Sequence, residues 1–81
     1  MKLWDLKKNQ SAFFGSLSSS IEDKLVARLI EMGFEQGQEV RCVRRSPFRG
    51  PVIVSLGGTI LALEQSIAEL ISLSQNNTNT L

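Results

Sequence analysis

Residues 52–63 read VIVSLGGTILAL, and this stretch decides the fold. Two short apolar segments, 52–56 and 59–63, flank Gly57-Gly58, and a glycine pair in that setting is a strong signal for a two-residue β-hairpin turn. Folding the chain there sets three pairs of residues opposite each other: Leu56 and Thr59, Val54 and Leu61, Val52 and Leu63. One face of this hairpin is almost wholly aliphatic, so we expect it to lie in the core.

The chain on the C-terminal side of the hairpin predicts two short elements and a tail. Residues 65–70 suit a single helical turn, and residues 71–73 suit a short final strand. Residues 75–81 (QNNTNTL) are polar and uncharged, so we expect them to fray. Residues 1–74 are therefore taken as one domain.

The segment before the hairpin alternates with a period of two. Residues 39–45 (EVRCVRR) predict a strand, with Val40 and Cys42 on its inward face. Residues 46–51 (SPFRGP) hold two prolines and a glycine, which cannot continue a strand ladder and so predict a loop. Residues 11–17 (SAFFGSL) predict an earlier strand, in which Gly15 marks a bend.

The helical period of 3.6 is confined to residues 21–33 (IEDKLVARLIEMG). Ser19 and Glu22 have the spacing of a capping box, and Gly33 is placed to end the helix in a left-handed conformation. Apolar residues fill about half of the helix circumference. We expect four of them to pack on the sheet and two to lie at the far edge: Ile21, Leu25, Leu29 and Met32 in the first group, Val26 and Ile30 in the second.

Length and composition limit the choice of protein class. Eighty-one residues make one domain, and a net charge of +1 disfavours a general polyanion binder. The chain has no His and a single Cys, which excludes imidazole metal sites, His-dependent catalysis and disulfide scaffolds. No apolar run is long enough for a membrane span, and residues 1–10 lack the apolar core of a signal peptide, so we expect a cytosolic protein.

Several short strands with one helix favour an all-β fold. Strand, hairpin, helical turn and final strand follow one another as in SH3-like barrels. We therefore predict a small SH3-like β-barrel of about five short strands, closed so that free strand edges are removed, with one inserted helix at about residues 21–33.

From residue 28 the sequence RLIEMGFEQGQEV resembles the FeoA family of bacterial ferrous iron uptake. Further matches are RRSP at residues 44–47, GPV at 50–52, GGTILAL at 57–63, and Ala68 with Ile71. The resemblance covers about residues 11–73, and its motif positions are Arg28, Leu29, Met32, Gly33, Gly37, Pro47, Gly50, Pro51, Gly57 and Gly58. It implies an SH3-like barrel and a role beside FeoB, the membrane iron transporter with a cytosolic GTP-binding domain.

Residues 41–49 contain the candidate binding surface. Four arginines without an intervening acid surround Phe48: Arg41, Arg44, Arg45 and Arg49. The run suits a solubilising strand edge, a protein-docking surface or a nucleic-acid-binding surface. The small number of aromatic side chains available for base stacking disfavours nucleic acid. We expect docking through Arg44, Arg45, Phe48 and Arg49, although Phe48 could instead fold inward and plug the barrel end. The helix positions Val26 and Ile30 suit core packing or self-association, and partner docking is the alternative that makes them candidate binding residues.

The sequence predicts neither a cofactor nor a metal site. The candidate ligands are Cys42 and four carboxylates that we interpret as a solvated acidic surface: Asp23, Glu31, Glu35 and Glu39. The GFEQGQEV stretch lacks the Lys-Ser/Thr of a phosphate-binding loop. We therefore predict a non-enzymatic cytosolic accessory protein that contacts a FeoB-like transporter, reaches the membrane only through it, and binds no nucleic acid. A nucleic-acid-binding barrel and a free-standing relative of the SH3-like domain of metal-dependent repressors are the alternatives, and self-association stays open.

Overall fold

Five antiparallel strands form one sheet in the computed structural model, which describes residues 1–75. The sheet order is β4-β3-β2-β1-β5. The strands are β1 (Ser11–Leu17), β2 (Glu39–Arg45), β3 (Val52–Leu56), β4 (Thr59–Leu63) and β5 (Ile71–Ser74). Helix α1 (Asp23–Met32) joins β1 to β2, and helix α2 (Gln65–Ala68) joins β4 to β5. The five strands and the inserted helix agree with the prediction. The predicted closure by strand pairing is not seen within residues 1–75, because β4 and β5 do not pair and the outer edge of β5 bonds to Met1 and Lys2 instead.

The hairpin forms in the predicted register. Its three inward pairs join Leu56 with Thr59, Val54 with Leu61, and Val52 with Leu63. Gly57 and Gly58 turn the chain with φ of 56° and 86°, and two consecutive positive φ values are what a type I′ turn requires. The hairpin prediction is confirmed in both turn and register.

The core lies on the inward face of the sheet. Phe14 and Phe34 meet edge to face there, with their ring centroids 5.6 Å apart. The β2–β3–β4 sheet contributes mainly aliphatic side chains to it: Val40, Cys42, Val52, Val54, Leu56 and Leu63 are all buried. The inward placement of Cys42 is confirmed.

Two bulges interrupt the ladders of this sheet. In β1 the register with β5 shifts between Phe14 and Ser16, so Gly15 lies at the bend that its sequence position predicts. A Cβ on Gly15 would lie 3.2 Å from the Ser72 carbonyl oxygen, which explains the glycine. In β2 the register with β3 shifts between Cys42 and Arg44, so Val43 is the additional residue and its side chain is exposed.

Helix α1 begins two residues later than predicted. Glu22 is its N-cap and makes no side-chain capping bond, so the predicted capping box of Ser19 and Glu22 is not formed. The preceding serines form a turn of their own instead, because the Ser18 hydroxyl accepts from the Ser20 N–H and the Ile21 N–H donates to the Ser18 carbonyl. The C-terminal prediction is confirmed, since Gly33 ends the helix with φ of 117°.

The buried arc of α1 is narrower than its apolar arc. Leu29 is buried, and Leu25 and Val26 pack half-buried against the core. Met32 was expected to pack on the sheet but is 36% exposed, whereas Val26 was expected at the far edge and packs inward. Ile30 lies at the exposed edge as predicted, at 51%. Both corrections have one cause, which is that the helix is rotated toward Val26 on the sheet.

The N-terminal segment belongs to the core. A 3₁₀ turn at Leu3–Asp5 buries Leu3, and Leu6 after it is also fully buried. Lys2 bridges Ser72 of β5, and Met1 exchanges two backbone hydrogen bonds with Leu73. The outer edge of β5 is therefore covered by the first two residues. Of the predicted frayed tail, residues 76–81 lie outside the described residues.

Candidate protein-docking site

The loop between β2 and β3 is a tight turn that holds two non-glycine residues in a left-handed conformation. Phe48 has φ of 57° and Arg49 has φ of 58°. The Gly50 N–H donates to the Pro47 carbonyl at 3.1 Å, and the Ser46 N–H donates to the Pro51 carbonyl at 3.2 Å. The bond between Gly50 and Pro47 encloses two residues with positive φ, which makes this a type I′ turn. The two central positions of such a turn ordinarily carry Asn or Gly.

Two of the motif residues fix this turn. A Cβ on Gly50 would lie 2.9 Å from the Ser46 Cβ and 3.2 Å from the Pro47 carbonyl oxygen, so only glycine fits without a shift. Pro47 restricts φ at the first position of the turn and lowers the conformational entropy of the unfolded loop. The turn is therefore a preformed structure.

The Phe48 side chain is 100% exposed at the tip of this turn. The alternative in which Phe48 plugs the barrel end is therefore wrong. A fully exposed phenylalanine on strained backbone contributes nothing to the core, and backbone strain of this kind is typical of binding sites.

The four arginines of residues 41–49 divide into two groups. Arg41 and Arg44 are exposed on β2, and Arg49 is exposed beside Phe48. Arg45 has a different environment, because its Nη1 donates to the backbone carbonyls of Trp4 and, at 2.9 Å, of Leu6. Of the four predicted docking residues of this loop, Arg44, Phe48 and Arg49 are exposed. Arg45 is half-buried and bound to the N-terminal segment, so the expectation that it belongs to the same surface is corrected.

Arg45 holds the N-terminal segment in place. Its guanidinium carbon lies 4.4 Å from the centroid of the Trp4 ring, a cation–π contact that adds to the two carbonyl bonds. The sequence interpretation assigned no role to Trp4 and missed this contact. The available signal was the group of apolar residues Leu3, Trp4 and Leu6 between charged neighbours.

The second candidate surface, on α1, is smaller than expected. Val26 packs against the core, so Ile30 is the predicted docking residue that stays exposed there. Met32 is the other large apolar residue of this helix that is exposed. The helix therefore presents two separate large apolar side chains. Unlike the loop between β2 and β3, it has neither a strained turn nor a group of neighbouring arginines.

Cys42 has neither the exposure nor the ionisation of a reactive or ligating thiol. Burial raises its pKa, and the nearby charge of Arg45 and a hydrogen bond with the Arg44 backbone oppose that rise only in part. Within residues 1–75 there is no group of three His, Cys, Asp or Glu residues that could hold a metal ion, and no enclosed pocket. In the same range no helix is long and apolar enough to cross a membrane.

The five-stranded antiparallel sheet with one inserted helix defines a small all-β protein of the SH3-like class. The FeoA domain family matches residues 1–75, so the chain belongs to that family. The match extends over the N-terminal segment, beyond residues 11–73 that carry the sequence resemblance. A comparison with curated protein sequences gives no significant match.

Solved structures support the same assignment. FeoA of Stenotrophomonas maltophilia, complexed with zinc and described as an SH3 domain protein, is 34% identical, with a TM-score of 0.79 over 91% of this chain and 89% of that one. Iron(II) transport protein A of Clostridium thermocellum is 28% identical, with a TM-score of 0.83 over 93% of this chain, which spans 45% of that protein. A manganese-dependent transcriptional repressor shares the fold at 16% identity and a TM-score of 0.81.

Proposed function

We propose that this chain is a non-enzymatic, cytosolic accessory protein of ferrous iron uptake that acts by docking on a FeoB-like membrane transporter with a GTP-binding domain. Membership of the FeoA domain family supports the link to iron transport. The Stenotrophomonas relative has been put forward as a ferrous iron transport activating factor, which supports an accessory role. The observation that carries the proposal is the fully exposed Phe48 on its left-handed turn.

The turn at residues 47–50 acts as the docking element. Phe48 supplies the apolar anchor, which enters a pocket of the transporter domain and becomes desolvated there. Because the turn is closed by its own hydrogen bond before binding, little ordering has to be offset on association. Arg44 and Arg49 on either side pair with acidic groups at the rim of that pocket.

Binding of the purified chain to the cytosolic GTP-binding domain of the FeoB-like transporter from the same organism tests this proposal. Phe48→Ala should weaken the affinity by about 5- to 30-fold, which corresponds to a hot-spot loss of about 1–2 kcal/mol, mainly through faster dissociation. Arg49→Ala should instead slow association and reduce its dependence on salt.

Ile30→Ala is the matched control, because it removes an exposed apolar side chain from α1 and leaves the turn intact. We expect it to bind like the unmodified chain. Loss of binding in Ile30→Ala but not in Phe48→Ala would assign docking to the helix. Absence of binding by the unmodified chain would contradict the proposed partner. Thermal melts of each variant confirm that the fold is kept.

The alternative of a repressor-like SH3 domain rests on shared fold alone, because the repressor is 16% identical to this chain. The nucleic-acid alternative loses one of its four arginines, since Arg45 is bound to the N-terminal segment. Protein docking is therefore the function that the exposed residues of the loop favour.

A further inference from the structure

The two edges of the sheet are treated differently by the fold. On β5 the outer edge pairs with Met1 and Lys2, as described above. On β4 (Thr59–Leu63) no strand lies on the outer side within the described residues. An uncovered edge strand is a template for pairing with another chain, so its composition decides whether pairing is prevented.

The hairpin geometry specifies which backbone groups this edge presents. In a two-residue hairpin the residues next to the turn exchange hydrogen bonds, and this holds for every second pair after them. Thr59, Leu61 and Leu63 therefore bond to β3. Ile60 and Ala62 point their N–H and C=O groups away from β3. No hydrogen bond among the described residues ends on these four groups.

The edge lacks the features that ordinarily block pairing. It reads TILAL, with no charge, no proline and no bulge. Ile60 is 60% exposed and Ala62 is exposed beside it on the outer face. An apolar, uncharged edge with four free backbone groups is the kind that adds a further strand.

We propose that β4 pairs antiparallel with β4 of a second copy of this chain, about a twofold axis at Leu61. In this register Ile60 of one copy lies opposite Ala62 of the other, and the same pair recurs on the other side of the axis. All four free groups of each copy are then satisfied, in two hydrogen-bonded pairs that make four bonds in total. The two Leu61 residues form the close, non-hydrogen-bonded pair between them.

The neighbouring residues exclude the adjacent symmetric registers. A shift toward the turn would require an extended backbone at Gly58, which has φ of 86°. A shift the other way would use Glu64, whose carbonyl already accepts from Ile67 and Ala68 at the start of α2. In the Leu61 register Glu64 lies opposite Gly58 of the second copy, so no like charges meet.

A second copy fits this edge better than a charged partner does. Hydrogen bonds and apolar contacts are the only interactions that TILAL offers, and they are self-complementary about the axis. Arg44 and Arg49 belong to the turn surface and take no part. The dimer therefore forms independently of the proposed docking function, and its affinity does not depend on salt.

Sedimentation equilibrium of the full chain from about ten micromolar to one millimolar tests this pairing. The unmodified chain should dimerise reversibly, with no change in 0.5 M sodium chloride. Ala62→Pro removes an outward N–H without taking a bond from the β3–β4 ladder, and it should raise the dimer dissociation constant at least tenfold. Ala62→Val keeps the N–H and is the matched control, which should dimerise like the unmodified chain.

Two further measurements guard against a variant that fails to fold. Ile60→Lys places an ammonium group on each side of the axis and should also give a monomer. In the unmodified chain the amide protons of Ile60 and Ala62 should become protected from exchange as the protein concentration rises. A chain that stays monomeric at one millimolar, or a dimer that persists in both Ala62→Pro and Ile60→Lys, would overturn the proposal. If the chain stays monomeric, a strand from another protein becomes the candidate partner of the β4 edge.

Discussion

At the scale of single residues, the backbone conformation of Phe48 lowers the stability of the folded protein. A side chain with a Cβ in the left-handed region raises the energy of the folded state by about 1–2 kcal/mol. The Phe48 ring has no packing partner to offset this, because it is fully exposed. Selection for folding alone would place Asn or Gly here, so a phenylalanine at this position supports the proposed binding role.

Replacing Phe48 with asparagine should therefore stabilise the protein and impair docking together. Phe48→Asn should raise the free energy of unfolding by about 0.5–1 kcal/mol, since asparagine adopts the left-handed conformation more readily. Urea unfolding followed by the fluorescence of Trp4 measures the change. Phe48→Ala is the control, because it removes the ring but keeps the strained backbone and should leave the stability nearly unchanged. A less stable Phe48→Asn protein would contradict this explanation.

Arg45 is a structural residue by its contacts, and its neighbour Arg44 provides the comparison. Arg45→Ala should lower the free energy of unfolding by about 2 kcal/mol, because it removes two charge-assisted bonds and the contact with Trp4. Arg44→Ala should change it by less than about 0.5 kcal/mol, as is usual for exposed positions. Equal effects in urea unfolding would show that the N-terminal segment is not held by Arg45.

At the scale of elements, the N-terminal segment pairs with the outer edge of β5 and buries Leu3 and Leu6 in the core. Leu6→Ala should lower the free energy of unfolding by about 2–4 kcal/mol, the usual cost of emptying a fully buried leucine site. Lys7→Ala changes the adjacent exposed residue and should have almost no effect. Amide exchange of Leu73, whose N–H donates to the Met1 carbonyl, should accelerate in Leu6→Ala only. Unchanged stability in Leu6→Ala would mean that the segment packs loosely.

The elements that the sequence predicted well are those specified by local chemistry. Alternation and a glycine pair fix the hairpin register, because a shift of one residue would turn the aliphatic face outward. Gly33 and the loop prolines mark where elements end for reasons of backbone geometry. Strands β1 and β2 consequently have the predicted bounds.

The features that the sequence did not predict depend on distant contacts. The carbonyl that Arg45 binds at Trp4 is 41 residues away, and backbone carbonyls leave no mark in a sequence. The sequence of α1 shows how wide its apolar arc is but not how the helix is rotated about its axis on the sheet. The prediction therefore placed Met32 inward and Val26 at the edge, and the structure shows the reverse. Exposure of Phe48 was predictable from its apolar isolation, whereas its left-handed backbone was not.

At the scale of the whole molecule, nine basic residues balance eight acidic ones, and the acids are not gathered into a site. Residues 1–75 hold no cluster of three ligating side chains, and residues 76–81 contain only Asn, Thr and Leu. We therefore expect one chain to bind ferrous iron or zinc no more tightly than scattered surface carboxylates do. Zinc in the Stenotrophomonas relative makes this worth measuring.

Titration calorimetry of the Ala62→Pro variant with zinc, and with ferrous iron under anaerobic conditions, measures the affinity of a single chain. The variant is used because a metal held between two copies would otherwise be counted as an intrinsic site. We expect weak heats without a defined stoichiometry, since carboxylates without imidazole or thiolate partners hold these ions poorly. Binding by the unmodified chain alone would assign the site to the dimer. A one-to-one site of micromolar affinity in the monomeric variant would contradict the prediction and make this protein a metal carrier in its own right.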